Sequence, residues 1–353
     1  MVVARAPRRR WKFRTRRTLL IAGLLLAMGP AACAPSIQKT ESSTPRLDGA
    51  GLDRAVGRVA ERARPGMLGV ALMNLESGEF WTFNGDRPFP MANIFEAPLG
   101  AAVLAEVDAG RLSLDETIHI GEHDLSPPPS AIADAWPGRT DYTVRELLAA
   151  SVGGADNTAA DVLMRRIGGP GAVTAWLRLK NINEVRVDRY ARELLTDRAG
   201  MASFRLAWKG ERAFAAAMAT VPPATRHAAM DAYLRDPRDT ATPRSFLHFL
   251  MELEDRSLLS GPSTALLLRL LGDADGDGRV STALPPDVTF AHRSGAAPRD
   301  LGITPAANDV GVLTFPPKRH YALAVFLSGS TLDAAGRDAL IADVGRAVVR
   351  GVR

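Results

Sequence analysis

Strand-like patterns occur at both ends of the regularly patterned part of the chain, and helical patterns fill the middle. MLGVALMNLESGEFWTFNG (67–85) predicts two strands joined at Ser77-Gly78, and DVTFAHRSG, NDVGVLTF and RHYALAVFLSG predict further strands near the C-terminus. Helical patterns cover residues 93–110, 142–152, 157–168, 171–181, 242–255, 261–272 and 332–349. The sheet must therefore be built from distant pieces of the chain, which predicts an α+β fold.

The first 32 residues have the layout of an export signal. Residues 1–17 contain eight Lys or Arg side chains and no acid, and the apolar run that follows, about a dozen residues long, is too short to span a bilayer. Cys33 follows Ala31-Ala32, as the lipidated residue does in bacterial lipoprotein signals. We expect an exported protein, periplasmic or in the cell envelope, anchored to the membrane through Cys33. Cleavage without lipidation is the alternative, and either the Sec or the twin-arginine route fits.

Residues 33–47 are polar, contain Pro and Ser, and are expected to tether the anchor to a domain covering residues 48–353. Without the eight N-terminal positive charges the formal net charge of +5 becomes −3, which argues against a nucleic-acid partner. A single cysteine excludes disulfides and Cys-based zinc sites within the chain. DADGDG (273–278) resembles the start of a calcium loop but has Leu284 at the twelfth position, so we expect no metal and no cofactor.

Five segments follow one another between Leu52 and Val352. In order, they resemble the segments of class A serine β-lactamases that carry Ser-x-x-Lys, Ser-Asp-Asn, the Ω-loop, Lys-Thr-Gly and the last hairpin. They are PMANIFEAPLGAAVL, ADNTAADVL, VDRYARELL with DPRDTATP, FAHRSG, and NDVGVLTFPPKRHYALAVFLSGS. The resemblance implies a β-lactamase/transpeptidase-like fold, in which helices flank an antiparallel sheet from both chain ends and a mainly helical subdomain adjoins it.

The resemblance also implies that this chain lacks the family's catalytic groups. Asn93 stands at the nucleophile position and Glu96 at the position of the lysine base. Ala155 replaces the serine that passes a proton to the leaving nitrogen, Ala191 replaces the deacylating glutamate, and Leu195 replaces the asparagine that helps to hold its water. A carboxamide nitrogen has a delocalised lone pair and cannot open an acyl bond as an alkoxide does. Because losing one member of such a unit already costs orders of magnitude in rate, we expect none of these residues to function in catalysis.

Other family positions keep their character. The resemblance implies that Asn157 and the Arg293-Ser294-Gly295 segment contact a ligand. It also implies structural roles for three charged residues, the architectural Asp156 and the Ω-loop ion pair of Arg189 with Asp239.

Two features depart from the family. NIFE (93–96) matches a capping box, so Glu96 is expected to bond to amides at the helix start. About 40 extra residues, roughly 196–235, interrupt the Ω-loop, and AFAAAMATV and ATRHAAMDAYLR predict two short helices there. The insertion is a lid over the site, a docking surface for a partner, or a surface insertion without a role.

These observations favour a pseudoenzyme that binds a peptidoglycan fragment, a β-lactam-like ligand or an envelope protein. The alternative is an active hydrolase, through weak β-lactam turnover or through other chemistry that uses Glu96 and Asp156 as carboxylates. A third hypothesis is an envelope assembly factor that acts through the insertion.

Overall fold

A computed structural model describes residues 46–272 and 279–352, so Cys33 and DADGDG lie outside the described residues. Within these ranges the strands are β1 Met67–Asn74, β2 Phe80–Phe83, β3 Phe89–Pro90, β4 Thr117–His119, β5 Asp141–Thr143, β6 Thr240–Ala241, β7 Thr289–Ala296, β8 Thr304–Phe315 and β9 Arg319–Ser330. The α-helices are α1 Gly49–Ala63, α2 Glu96–Asp108, α3 Ala131–Ala135, α4 Val144–Leu148, α5 Asn157–Arg166, α6 Pro170–Leu179, α7 Ala191–Arg198, α8 Glu211–Ala219, α9 Pro223–Arg235, α10 Pro243–Glu254, α11 Gly261–Gly272 and α12 Ala334–Gly351.

The central sheet joins the two ends of the chain. Its five strands lie in the order β2-β1-β9-β8-β7, and every neighbouring pair is antiparallel. The N-terminal strand β1 pairs with the C-terminal strand β9, with Val70 opposite Val325. The predicted fold class is therefore confirmed.

Alternation along β9 explains why the sheet is covered on both faces. Tyr321, Leu323, Val325 and Leu327 belong to a core shared with α1 and α12. The intervening apolar residues, such as Phe326, belong to a larger core shared with the central helices. Successive side chains of a strand point to opposite faces, so one strand contributes to both cores.

Most predicted helices are present with shifted ends. The pattern at 142–152 becomes strand residues, then α4, then a π-helical turn over Ala149–Gly153. The pattern at 93–110 becomes a 3₁₀ turn, Ala92–Phe95, followed by α2. The two helices predicted in the insertion are α8 and α9. Among the described residues, no helix combines the length and the hydropathy needed to cross a bilayer.

Candidate active site

The predicted site lies where the start of α2 meets strand β7. A Cβ atom built on Gly295 would lie only 3.0 Å from the backbone nitrogen of Asn93, so glycine permits this close approach. Asn308 on β8 holds the segment before the turn, because its Nδ2 donates to the carbonyls of Pro90 (2.9 Å) and Met91 (2.7 Å). The close backbone approach and the Asn308 hydrogen bonds therefore help to hold this junction together.

Asn93 lies in the 3₁₀ turn before α2, and its side chain is half-buried. Its carboxamide has no hydrogen-bond partner in the part of the chain that the structure describes. The preceding residue, Ala92, has a φ of 47°, in the left-handed region that alanine disfavours. Backbone strain of this kind costs of order 1–3 kcal/mol and persists only where the surroundings impose it. The turn thus holds Asn93 in a constrained position without engaging its side chain.

Glu96 does not cap the helix. Neither the 3₁₀ turn nor α2 has a side-chain hydrogen bond at its N-cap, so the predicted capping box is wrong. Glu96 is instead fully buried and accepts a hydrogen bond from Nη2 of Arg293 on β7. A charge-assisted hydrogen bond to a buried guanidinium is stronger than one to a backbone amide, and this accounts for the different partner.

The Glu96–Arg293 pair places two ionisable groups in the buried part of the site. Burial raises the pKa of Glu96 to about 8, the charge and hydrogen bond of Arg293 lower it, and the charge of Asp156 raises it. Oε1 of Glu96 and Nε of Arg293 have no partner among the described residues. Arg293 is only 2% exposed and its guanidinium is bonded to Glu96, so its contact with a ligand stays a prediction.

Asp156 organises the loop that follows α4. Its Oδ1 accepts from the amide of Ala159 (2.9 Å) and from the hydroxyl of Ser130 (2.8 Å), and its Oδ2 accepts from the amide of Ile132 (2.9 Å). Burial raises the pKa of Asp156, while these hydrogen bonds lower it. The carboxylate is saturated by its own scaffold, as a structural role requires.

The neighbours of Asp156 in this loop are also constrained. Ala155 has a φ of 57°, so a second alanine near the site takes the left-handed conformation. Asn157 is buried and its Nδ2 donates to the carbonyl of Pro127 at 3.0 Å. Its carbonyl oxygen makes no hydrogen bond to a described residue and can accept one from a ligand.

The Ω-loop is closed by ion pairs at Arg189. Its Nε donates to Oδ2 of Asp239 at 2.6 Å, and Oδ1 of Asp239 accepts from the amides of Asp188 (2.7 Å) and Arg189 (3.1 Å). Arg189 also approaches Asp197 at 3.0 Å and Asp236 at 3.4 Å. The residues on either side of the insertion are therefore held together although about 40 residues separate them.

Ala191 is the first residue of α7, and Leu195 lies about one turn later. The start of α7 is bound by a residue that the sequence did not suggest. Asp161 accepts from the amides of Ala191 (2.6 Å) and Arg192 (3.0 Å) and from the hydroxyl of Ser126 (2.6 Å). Burial raises the pKa of Asp161 to about 6, although all three hydrogen bonds oppose the rise. A carboxylate within the apolar pattern NTAADVLM was the signal available.

The insertion connects the two sides of the domain. Nζ of Lys209 donates to the carbonyl of Trp136, after α3 in the helical subdomain, at 2.7 Å. Nη1 of Arg226 on α9 donates to Oδ1 of Asp300, in the loop after β7, at 2.5 Å. We call residues 196–235 the strap, because they reach from the helical subdomain to the sheet.

No metal site is found in the described ranges, where no three His, Cys, Asp or Glu side chains cluster suitably. His292, next to the site, is a packed histidine. Its Nδ1 lies 2.7 Å from Oδ1 of Asp309, and its ring stacks on Phe290 with centroids 4.7 Å apart. Ser294 provides a half-buried hydroxyl, but it has no hydrogen bond to a base among the described residues.

Comparison with known proteins gives a consistent family. The model of the Beta-lactamase enzyme family matches residues 51–352. The chain is 25% identical to beta-lactamase VEB-1 of Pseudomonas aeruginosa over 289 residues, which cover 81% of this chain and 85% of the relative. It is 28% identical to the carbapenem-hydrolyzing beta-lactamase KPC of Klebsiella oxytoca over 288 residues, 81% of this chain and 84% of that protein.

Solved structures agree. A beta-lactamase from Chitinophaga pinensis shares 29% identity with a TM-score of 0.70, covering 84% of this chain and 97% of that one. The ancestral class A beta-lactamase of Gram-negative bacteria shares 32% identity with a TM-score of 0.68, covering 85% of this chain and 99% of its own.

Proposed function

This chain belongs to the Beta-lactamase enzyme family, with the class A fold, and we propose that it is a binding protein that has lost serine acylation. In this proposal the ligand lies beside Asn157, Ser294 and the start of α2, a region called the cleft below, and forms no covalent bond with the protein. The ligand is a peptidoglycan fragment, a β-lactam-like molecule or a segment of an envelope protein. The names of the relatives support the β-lactam-like class, because enzymes that open β-lactams bind that chemistry.

The hydrogen-bonded Glu96–Arg293 pair is the observation that carries this proposal. Acyl transfer needs a hydroxyl whose proton is accepted by a nearby base. Here the position one helical turn after Asn93 holds a buried acid that is already bonded to Arg293. Burial raises the pKa of Glu96 to about 8, and its Oε2 already accepts a hydrogen bond from Arg293, so this acid is held by the scaffold and not by a reacting hydroxyl.

The other proton carriers of the family chemistry are also absent. Ala155 and Ala191 have methyl groups where that chemistry uses a hydroxyl and a carboxylate. The amide of Ala191 is bonded to Asp161, and both oxygens of that carboxylate accept hydrogen bonds from the scaffold. Asp161 therefore fixes the start of α7 and is not free to activate a water.

We further propose that the protein acts in the cell envelope, exported by its N-terminal signal and anchored through Cys33. The strap supports a role for a protein partner, since it is a surface that bridges both sides of the domain. An envelope assembly factor that uses the strap is thus a variant of the binding hypothesis.

The alternative is a hydrolase with weak or altered activity. Two observations favour it: the named relatives are hydrolases, and Ser294 keeps a hydroxyl beside the turn that holds Asn93. In this case Ser294 would be the acylated residue, so its alanine variant separates the two hypotheses.

The test uses the folded unit from Arg46 onward, with a chromogenic cephalosporin, a fluorescent penicillin and intact-mass measurement. We expect no turnover and no added mass, in the wild type and in Ser294→Ala alike. A mass increase of one acylating molecule in the wild type contradicts the proposal, and its loss in Ser294→Ala supports the alternative. An active class A enzyme serves as the positive control.

Binding is then measured by thermal shift with muropeptides, and by pull-down with and without residues 196–235. Stabilisation by muropeptides that does not need the strap supports a ligand in the cleft. Partner capture that is lost with the strap supports the assembly role.

A further inference from the structure

A basic groove lies between the first and last helices, on the face of the sheet away from the site. It has a volume of about 260 Å³, and Arg54 and Arg58 of α1 and Arg350 of α12 line it. All three side chains are exposed, and none forms an ion pair or hydrogen bond with a residue that the structure describes. Small residues, including Ala347 and Gly351, form the floor.

Other arginines on the same two helices do have a counterion. One turn further along α1, Arg62 pairs with Asp343, which also binds Arg346 on α12. The groove contains one acid, Asp48, and its Oδ1 accepts the amide of Gly51 at the start of α1. Three guanidiniums against one occupied carboxylate leave a local excess of positive charge.

The position of the groove along the chain suggests what it binds. Asp48 lies at its edge, so the chain enters the domain beside the three arginines. Thirteen positions separate Cys33 from Arg46, and a chain of that length spans at most about 45 Å. A protein anchored through Cys33 therefore keeps this face within reach of the bilayer that holds the anchor.

We propose that the Arg54–Arg58–Arg350 groove binds the phosphate headgroups of anionic lipids at that membrane. This inference rests on the proposed envelope location but not on the state of the active site. Guanidinium groups match phosphate oxygens with two parallel hydrogen bonds, and anionic surfaces attract unpaired basic side chains. Binding would direct the opposite face of the sheet, with the cleft and the strap, away from the lipid.

The test measures co-sedimentation of the folded unit from Arg46 onward with phosphatidylcholine vesicles, with or without phosphatidylglycerol. Wild type is compared with the triple variant R54Q/R58Q/R350Q. The matched control is R87Q/R178Q/R269Q, which removes three exposed arginines that also lack an acidic partner among the described residues. Both triples change the net charge equally and should melt as the wild type does.

We expect the groove triple to bind phosphatidylglycerol vesicles roughly 100-fold more weakly, since each basic side chain near an anionic surface strengthens binding about 5-fold. The control triple should keep most of its affinity. Equal losses in both triples, or equal binding to vesicles of phosphatidylcholine alone, would overturn the proposal. So would binding of inorganic phosphate that requires the three arginines without any binding to vesicles.

Fluorescent penicillin is added to the same samples. Covalent labelling together with normal vesicle binding would refute the proposed function and leave the lipid-site proposal intact. Absence of both vesicle binding and labelling would refute the lipid-site proposal and leave the proposed function intact.

Discussion

Replacing Glu96 by glutamine preserves the shape of the side chain and removes its titration. Burial raises the pKa of Glu96 from an ordinary value of 4.5 to about 8, so the folded protein keeps this proton at a pH where the unfolded chain has lost it. The stability that this group contributes is fully present below about pH 4.5 and is lost as the pH rises through about 8. We expect the Glu96→Gln variant to lack this loss.

The magnitude follows from the two pKa values. At 1.36 kcal/mol for each unit of pKa, the wild type loses about 5 kcal/mol in total from this group, of which about 2 kcal/mol falls between about pH 6.5 and 8.5. Urea denaturation at several pH values across that window measures the free energy of unfolding of both proteins. The difference between wild type and Glu96→Gln should shift by about 2 kcal/mol in favour of the variant as the pH rises.

Glu146→Gln is the control. Glu146 is exposed, and its hydrogen bonds from Arg139 and Thr143 lower its pKa to about 2, so it titrates well below the window. Its variant should keep the slope of the wild type there. The reasoning fails if Glu96→Gln is 3–5 kcal/mol less stable than wild type at about pH 6.5, the cost of removing one partner from an ionised buried pair. That result would mean that Glu96 is charged beside Arg293 at neutral pH.

Three further outcomes are expected. Asp161→Asn should remove a loss of stability that the wild type undergoes as the pH rises from about 4 to 6, because burial raises the pKa of Asp161 to about 6; an unchanged urea-denaturation profile would contradict this. Arg226→Gln should make proteolysis of the strap roughly 5-fold faster, because it removes the ion pair with Asp300. Arg235→Gln, on the same helix, should not change the rate. Equal rates in the two variants would refute the idea that Arg226 fastens the strap to the domain. Asn93→Ser should remain unlabelled by fluorescent penicillin, since a hydroxyl there still lacks a base, and an adduct at that position by intact mass would show otherwise.

The sheet could be predicted because strand periodicity is a local property that survives in each segment. Alternation along RHYALAVFLSG already specifies two buried faces, and the observed register of β9 uses both. Helix α1 was not predicted, although Leu52, Val56, Val59 and Ala63 follow helical spacing and are buried together. Its apolar pattern was available in the sequence but is interrupted by three arginines and several small residues.

The environment of Glu96 could not be predicted from neighbouring residues. An asparagine followed three residues later by a glutamate indicates a cap wherever the helix start is exposed. Here the helix start is buried against β7, and the partner, Arg293, lies 197 positions away in sequence. Asp161 likewise bonds to amides 30 and 31 residues later. Long-range pairs of this kind depend on the packed fold.

Ala92 and Ala155 both keep left-handed backbones near the site, although that conformation is unfavourable for alanine. Because the residue itself disfavours this conformation, the surrounding contacts must impose it, here contacts such as the hydrogen bonds of Asn308. If the proposed function is correct, the reacting side chains changed during evolution while the backbone around the site kept its conformation. A return to hydrolysis would then require substitution of the site side chains on an unchanged backbone. Its first step would be the removal of the Glu96–Arg293 hydrogen bond.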